Sequence, residues 1–214
     1  MWSVIEPSLT VRGFFDSIRA TMKKNQPYMR QHILDVARTL MTHKGYTAVG
    51  LTELLGAAGV PKGSFYHYFA SKEVFGQALL EAYFQDYIGR VDALLNATGT
   101  GAERLLGYLR YWAETQVLDH TDQKCLVVKL GAEVCDLSED MRGVLEKGTA
   151  MIIQRIRQGV ERGQADGSIN SGLEAALLAD SLYQLWLGAS LMVKLQHSAQ
   201  PFEAAMQMSQ RLLS

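Results

Sequence analysis

The sequence predicts an all-α protein of about nine helices, and three observations carry that expectation. Apolar residues recur every three to four positions in nearly every segment, and no stretch alternates with the two-residue period of a half-buried strand. Only four Pro interrupt 214 residues rich in the helix formers Ala, Leu, Glu and Gln. A chain of this length can bury a sizeable core.

The breaks place helices near 26–44, 51–58, 61–69, 71–96, 101–119, 123–135, 139–163, 172–197 and 201–213. In "HKGYT", Gly45 ends the first helix, because glycine accepts the left-handed conformation just past a helix stop. "LTELLGAAG" follows, with Leu51, Leu54, Leu55 and Ala58 at i, i+3, i+4 and i+7, an apolar stripe on a short helix. Gly59 closes it, and Pro61 is expected at the first position of the third helix, where no N–H is needed. "ATGTGAE" reads as the break between a head and a larger body, "ADGSINSG" as a loop, and "HSAQP" as the break before a last short helix. Residues 1–21 show little periodicity. They are expected to be a disordered extension, or to lie upstream of a natural start near Met22. The head then covers 22–72 and the body 73–214.

The formal net charge of −1 conceals an asymmetry. Residues 22–72 hold seven Lys/Arg against two acids, a net +5, whereas 73–214 hold twelve against eighteen, a net −6. A basic head on an acidic body suits a polyanionic partner for the head alone. Two cysteines, Cys125 and Cys135, exclude a disulfide scaffold; on one helix they would stand about 15 Å apart along its axis, too far to bridge. Free thiols point to a reducing cytoplasm. The most apolar run, "LEAALLADSLYQLWLGASLMVKL", contains Glu174, Asp180 and Gln184, so it reads as a buried or interface helix and no membrane span is expected. "MWSVIEPSLTVRGFF" has no basic leader before its apolar residues, so no secretory signal is expected. Nothing supports catalysis: Cys125 has no His or acid partner motif, no glycine-rich phosphate loop occurs, and the five His lack metal spacing. No enzyme activity, cofactor or metal is expected.

Candidate chemistry concentrates in "GVPKGSFYHYFASKE", Gly59–Glu73. On a helix, Phe65 and Phe69 share one face, Gly63 and His67 lie roughly opposite, and Ser64 and Tyr66 flank them. Two short helices joined by the tight "GVP" turn make a helix-turn-helix, whose second member enters the DNA major groove. The phenylalanines then hold that helix against the head, and Gly63 permits close backbone approach. Ser64, Tyr66 and His67 present donors and acceptors to bases. Lys62 and Lys72 stand near helix starts, within reach of phosphates.

"TELLGAAGVPKGSFYHYFASKEVF" resembles the DNA-binding head of the TetR family of one-component bacterial regulators, whose signature reads AGV-x-KG-x-x-Y-x-Y/HF-x-x-K. The remaining length and helix count agree with that family's larger ligand-binding and dimerisation body. The resemblance implies that Thr47, Thr52, Lys62, Gly63, Ser64, Tyr66, His67 and Lys72 touch DNA. It also implies a homodimer that reads a near-palindromic operator, usually close to its own gene. Gly50 stands where many relatives begin the second helix with Ser or Thr, and glycine is an acceptable cap. A two-fold interface is expected on the last two helices, where Leu182, Leu185, Trp186, Ala189, Met192 and Val193 make long apolar faces.

Two stretches of the body, "CLVVKLGAEVCDLSEDMR" and "LYQLWLGASLMVKLQHS", resemble members of the same family that respond to electrophiles and reactive chlorine. That resemblance implies Cys125 as the sensing thiol and Lys194 as the amine that it captures in a sulfenamide-type S–N link. The residues argue for the thiol independently. Cys125 follows Lys124 and the loop "DHTDQK", so it is expected in the first turn of its helix, where the dipole and nearby cations favour thiolate. Cys135 is a secondary thiol that sits among Glu133, Asp136 and Glu139, and it reads as a small packed side chain. Lys124 stands where many of these relatives have Gly, which should alter thiol access or acidity. Two functions stay open: a repressor released by electrophiles or oxidants at Cys125, and a repressor induced by a noncovalent small molecule. Tyr83, Tyr87, Tyr108, Tyr111, Trp112, Tyr183 and Trp186 could line a pocket for the latter, and they suit a packed core equally well.

Overall fold

Phe65, Phe69 and Phe75 are almost wholly inaccessible to solvent, and their ring centroids stand 5.1–5.4 Å apart. This contact locks the third helix onto the fourth and organises the head. The computed structural model describes residues 28–117, 124–170 and 172–214. Expectations for residues 1–27 and for the loop 118–123 lie outside the described residues. Among the described residues there are nine helices and no strand, as the periodicity requires. In chain order they are α1 (28–44), α2 (Leu51–Ala58), α3 (Lys62–Tyr68), α4 (Lys72–Leu95), α5 (Gly101–Val117), α6 (Leu126–Leu137), α7 (Glu139–Ala165), α8 (Ala175–Gln196) and α9 (Gln200–Leu213).

Helices α1–α3 form the head. Gly45 and Gly59 adopt the positive φ expected of them, 93° and 65°. Pro61 does not open α3 from inside, however. Its ψ of 147° is extended, so it is the residue before the helix, and its carbonyl accepts from Ser64 N–H at 2.9 Å. Gly50 precedes α2 in an extended conformation without a side-chain cap. The fourth helix starts where Ser71 Oγ accepts the Val74 amide at 3.1 Å, and at 24 residues it is about 36 Å long.

Because α4 is continuous from Lys72 to Leu95, the "ATGTGAE" turn does not separate head from body; it joins α4 to α5 inside the body. There Asp166 Oδ2 accepts from Gly101 N–H at 2.8 Å and Ser168 Oγ from Ala102 N–H at 3.0 Å, satisfying the first amides of α5. In the body, α7 packs on α4, α5, α6 and α8, and α9 closes over α8 and α5. Trp112 Nε1 donates to Ser190 Oγ at 3.0 Å and Trp186 Nε1 to Ser209 Oγ at 2.9 Å, so both buried indoles have partners. By length and composition α8 could cross a membrane, but here it lies between α7 and α9 with Leu182 and Trp186 fully buried.

That burial corrects the expected dimer surface. Leu182, Trp186 and Ala189 belong to the protomer core, where the Trp186 ring stacks on Phe202 at 5.6 Å. Met192, also expected there, is exposed, and the other large exposed apolar residues of α8 are Leu177, Leu191 and Leu195. Leu177, Leu191 and Leu195 share a stripe with exposed Gln184 and Gly188, spaced seven, four, three and four residues apart in chain order.

Gly101 and Gly163 meet backbone to backbone: a Cβ on Gly101 would lie 2.3 Å from Gly163 Cα and 2.4 Å from its nitrogen. Neither atom can give way without moving α5 or α7. Gly101→Ala is expected to destabilise the protein by about 1–3 kcal/mol. Thermal unfolding should show this as a loss of about 2–4 °C per kcal/mol, while Gly107→Ala, whose Cβ would meet only the end of the Arg110 side chain at 3.8 Å, leaves the midpoint unchanged or raised.

Candidate functional site

Two surfaces carry the candidate chemistry, and α6 connects them. The first is the outer face of α3. Phe65 and Phe69 point inward at 0% and 1% exposure, whereas Lys62, Gly63, Tyr66 and His67 are exposed and Ser64 is half-buried. The i, i+4 spacing of the two phenylalanines leaves the residues between them facing out. Thr52 is exposed on α2. Of the eight residues that the head motif implied, these six lie together on the exposed helix-turn-helix.

Thr47 and Lys72 are engaged differently. The Lys72 ammonium donates to the carbonyls of Val49 at 3.0 Å and Tyr46 at 3.4 Å and sits 4.9 Å from the Tyr46 ring centroid, so it braces the α1–α2 loop. The Tyr46 hydroxyl returns a bond to Lys72 O at 2.6 Å; burial, with Glu73 and Glu133 nearby, pushes that hydroxyl up to about 12, so it remains a donor. Thr47 is exposed, but both its N–H and its hydroxyl donate to Glu133 of α6.

The second surface is the thiol site. Cys125 stands one position before the first turn of α6 as its N-cap residue, and it is buried, not accessible. Its N–H donates to Gln116 Oε1 at 3.2 Å. Around it lie Tyr83, Tyr87, Tyr108 and Tyr183, each close enough for the thiol to influence its ionisation. Tyr87 and Tyr108 bond hydroxyl to hydroxyl at 3.1 Å, whereas the buried hydroxyls of Tyr83 and Tyr183 lack partners. The Tyr83 hydroxyl faces the sulfur without reaching hydrogen-bond geometry.

Burial corrects the expected acidity of this thiol. It pushes Cys125 above its ordinary value; the Val128 amide, Tyr83 hydroxyl, Val127 amide and Lys194 pull the other way without prevailing. Desolvation also lowers Lys194, with Lys129 and Lys124 adding to it, while Cys125 opposes. Lys194 is exposed, so its side chain can be reached from the solvent side. Cys135, expected to be packed, is exposed on α6. The aromatic residues that could have lined a ligand pocket are close-packed: Tyr83, Tyr108, Trp112 and Trp186 have at most 2% exposure.

Sequence reasoning missed Glu133, Lys129 and Gln116. Glu133 Oε2 accepts from Tyr46 N–H at 3.0 Å and Oε1 from Thr47 N–H at 2.6 Å, and Lys129 Nζ donates to His43 O at 2.8 Å. Desolvation works against the Glu133 carboxylate, but the Thr47 hydroxyl, the two amides and Lys129 hold it below the usual range. The available signal was spacing, since 125, 129 and 133 follow one another at i, i+4 and i+8.

Comparison with known proteins agrees with this geometry. Residues 33–82 match the family described as "Bacterial regulatory proteins, tetR family", and residues 101–209 match "Tetracyclin repressor-like, C-terminal domain". The chain is 43% identical over 178 residues to the HTH-type transcriptional repressor NemR of Escherichia coli (strain K12), covering 83% of this chain and 89% of that one. It is 32% identical to the HTH-type transcriptional repressor DhaR of Mycobacterium sp. (strain GP1), covering 82% and 87%. The crystal structure of the reduced form of E. coli NemR superposes with a TM-score of 0.82 at 40% identity, covering 87% of this chain and 97% of that one.

A thiol raised above its ordinary value is mostly protonated at neutral pH, and its thiolate fraction grows tenfold per pH unit until the pKa is passed. Alkylation of Cys125 by a small maleimide should therefore accelerate about tenfold per unit from pH 7 to 9. Lys194→Met removes a cation that favours thiolate and should slow this reaction while leaving exposed Cys135 unaffected. Mass spectrometry of each modified peptide against time measures both rates.

Proposed function

The chain belongs to the TetR family of bacterial regulatory proteins and is a transcriptional repressor closely related to NemR; from that premise we propose that a homodimer binds a near-palindromic operator and lets go when an electrophile or oxidant reacts at Cys125. The observation that carries this reading is the position of the thiol. Its residue stands at the N-cap position of the helix whose side chains hold the α1–α2 loop of the DNA-binding head. Operator contact falls to Thr52, Lys62, Gly63, Ser64, Tyr66 and His67, with Thr47 and Lys72 at the edge of the same surface. The exposed stripe Leu177–Leu191–Leu195 of α8 supports a two-fold interface on the last two helices. The repressor acts in the cytoplasm, where operator DNA and a reduced thiol coexist.

Two reactions suit the site. With a conjugated carbonyl compound, the Cys125 thiolate adds to the β-carbon and the C=C pair becomes an enolate that takes up a proton, leaving a thioether. With a two-electron oxidant, sulfur gains oxygen as a sulfenic acid; the Lys194 amine then attacks sulfur, an S–N bond forms, and hydroxide leaves with an amine proton as water. In either case the tyrosines around the sulfur are themselves buried, so an adduct there displaces α6 or its neighbours. Head reorientation then costs the dimer the spacing of about 34 Å between successive major grooves. A differential of a few kcal/mol, well under the ~5.5 kcal/mol that inverts a 1:99 equilibrium, suffices to release much of the bound operator.

For a noncovalent inducer, the described residues offer a groove of about 580 Å³ between α5, α8 and α9, lined by Arg110, Trp186, Phe202 and Met206. It lies away from the thiol, so Cys125→Ser separates the two readings. The variant should bind operator like the wild type and resist release by N-ethylmaleimide, whereas wild-type release rules in the thiol; undiminished release of Cys125→Ser refutes it. On the DNA side, His67→Ala should cost about 1–3 kcal/mol and relax base preference at one position. Lys62→Ala should weaken all duplexes alike and reduce the salt slope by about 1. Operator titrations at several salt concentrations measure both.

A further inference from the structure

Cys125, Lys129 and Glu133 follow one stripe of α6, and the last two reach across to the head. Lys129 satisfies a carbonyl at the carboxyl end of α1, while Glu133 gathers three donors of the α1–α2 loop: the amides of Tyr46 and Thr47 and the Thr47 hydroxyl. Gly45 makes this approach possible, because its φ is 93° and even a Cβ there would lie 3.0 Å from Glu133 Oε2. On its other side the loop is held by Lys72 and leads directly into α2, the first half of the helix-turn-helix. Ser138 and Met141 also link the body forward, but to Glu73 and Gly76 of α4 and not to this loop.

We propose that Glu133 is a positioning residue for DNA binding: its carboxylate sets the orientation of the helix-turn-helix on the body, and displacement of α6 at Cys125 reaches the DNA-facing surface through it. A carboxylate suits this role because its two oxygens only accept, matching three converging donors. The isosteric amide replaces one acceptor with an NH2 that opposes them. The inference rests on the release mechanism above for its regulatory half, and on the loop geometry alone for its positioning half.

The test uses the full chain in a Cys135→Ser background, so that only Cys125 reacts with N-ethylmaleimide. Operator affinity is measured before and after complete alkylation for the parent, Glu133→Gln and Glu133→Ala, with the rate of Cys125 labelling followed in parallel. Glu133→Gln is expected to label at the parental rate and to weaken unmodified binding about tenfold. It should also shrink the alkylation-induced loss, which for a coupled pair of sites is about 5- to 150-fold, to within about threefold. Thr47→Val, which removes one of the three donors, should shift unmodified affinity in the same direction. Parental affinity with parental release overturns the inference, and weakened binding with the full release ratio sustains the positioning half and overturns the regulatory half. If the parent itself is not released, the sensing mechanism fails, and unmodified affinity alone decides the positioning role: a tenfold loss sustains it and no loss refutes it.

Discussion

Three phenylalanine rings determine what the head can show to a partner. Phe65 and Phe69 come from α3 and Phe75 from the first turn of α4, and each fully buried ring contributes about 1.5–3 kcal/mol. Rotating α3 about its axis would carry at least one ring into water, so Tyr66 and His67 are held outward. Because α4 starts three residues before Phe75 and continues to Leu95, the same contact also orients the head on the body.

The thiol site depends on an opposition between burial and reactivity. Enclosure by four tyrosines keeps Cys125 protonated, which makes it a slow nucleophile. In the proposed mechanism the same enclosure turns modification into displacement of the surrounding helices. Lys194 offsets part of the desolvation at the sulfur, while Lys129 and Lys124 act on Lys194 in turn. An exposed cysteine such as Cys135 could react faster, yet an adduct there would push against water alone.

The head was legible in the sequence because its determinants are local. Gly45, Gly59, the Leu51–Ala58 stripe and the Phe65/Phe69 pair act within a turn or two of one another, and helix α2 falls on the expected residues. The class of the body was legible for the same reason. What escaped were contacts between distant segments. Glu133 meets Thr47 across 86 positions, and no periodicity announces a carboxylate's partner. Gly101 reads as a linker glycine until α7 brings Gly163 against it. On α8, apolar residues cover more than one face, so the pattern alone could not tell Leu182 and Trp186, which are core, from Leu177 and Leu195, which are exposed. Cys125 was placed within one residue of its position, but its acidity depends on tyrosines from three other helices, and those are invisible to local pattern.

The most direct measurement is a pair of equilibrium titrations of the unmodified protein at one salt concentration. One uses the duplex upstream of its own gene, and the other a scrambled duplex of equal length and composition. If the phenylalanine trio presents the outer face of α3 to bases, the native duplex should be preferred by about 10³-fold or more. Equal affinity for the two duplexes would contradict the account at its root.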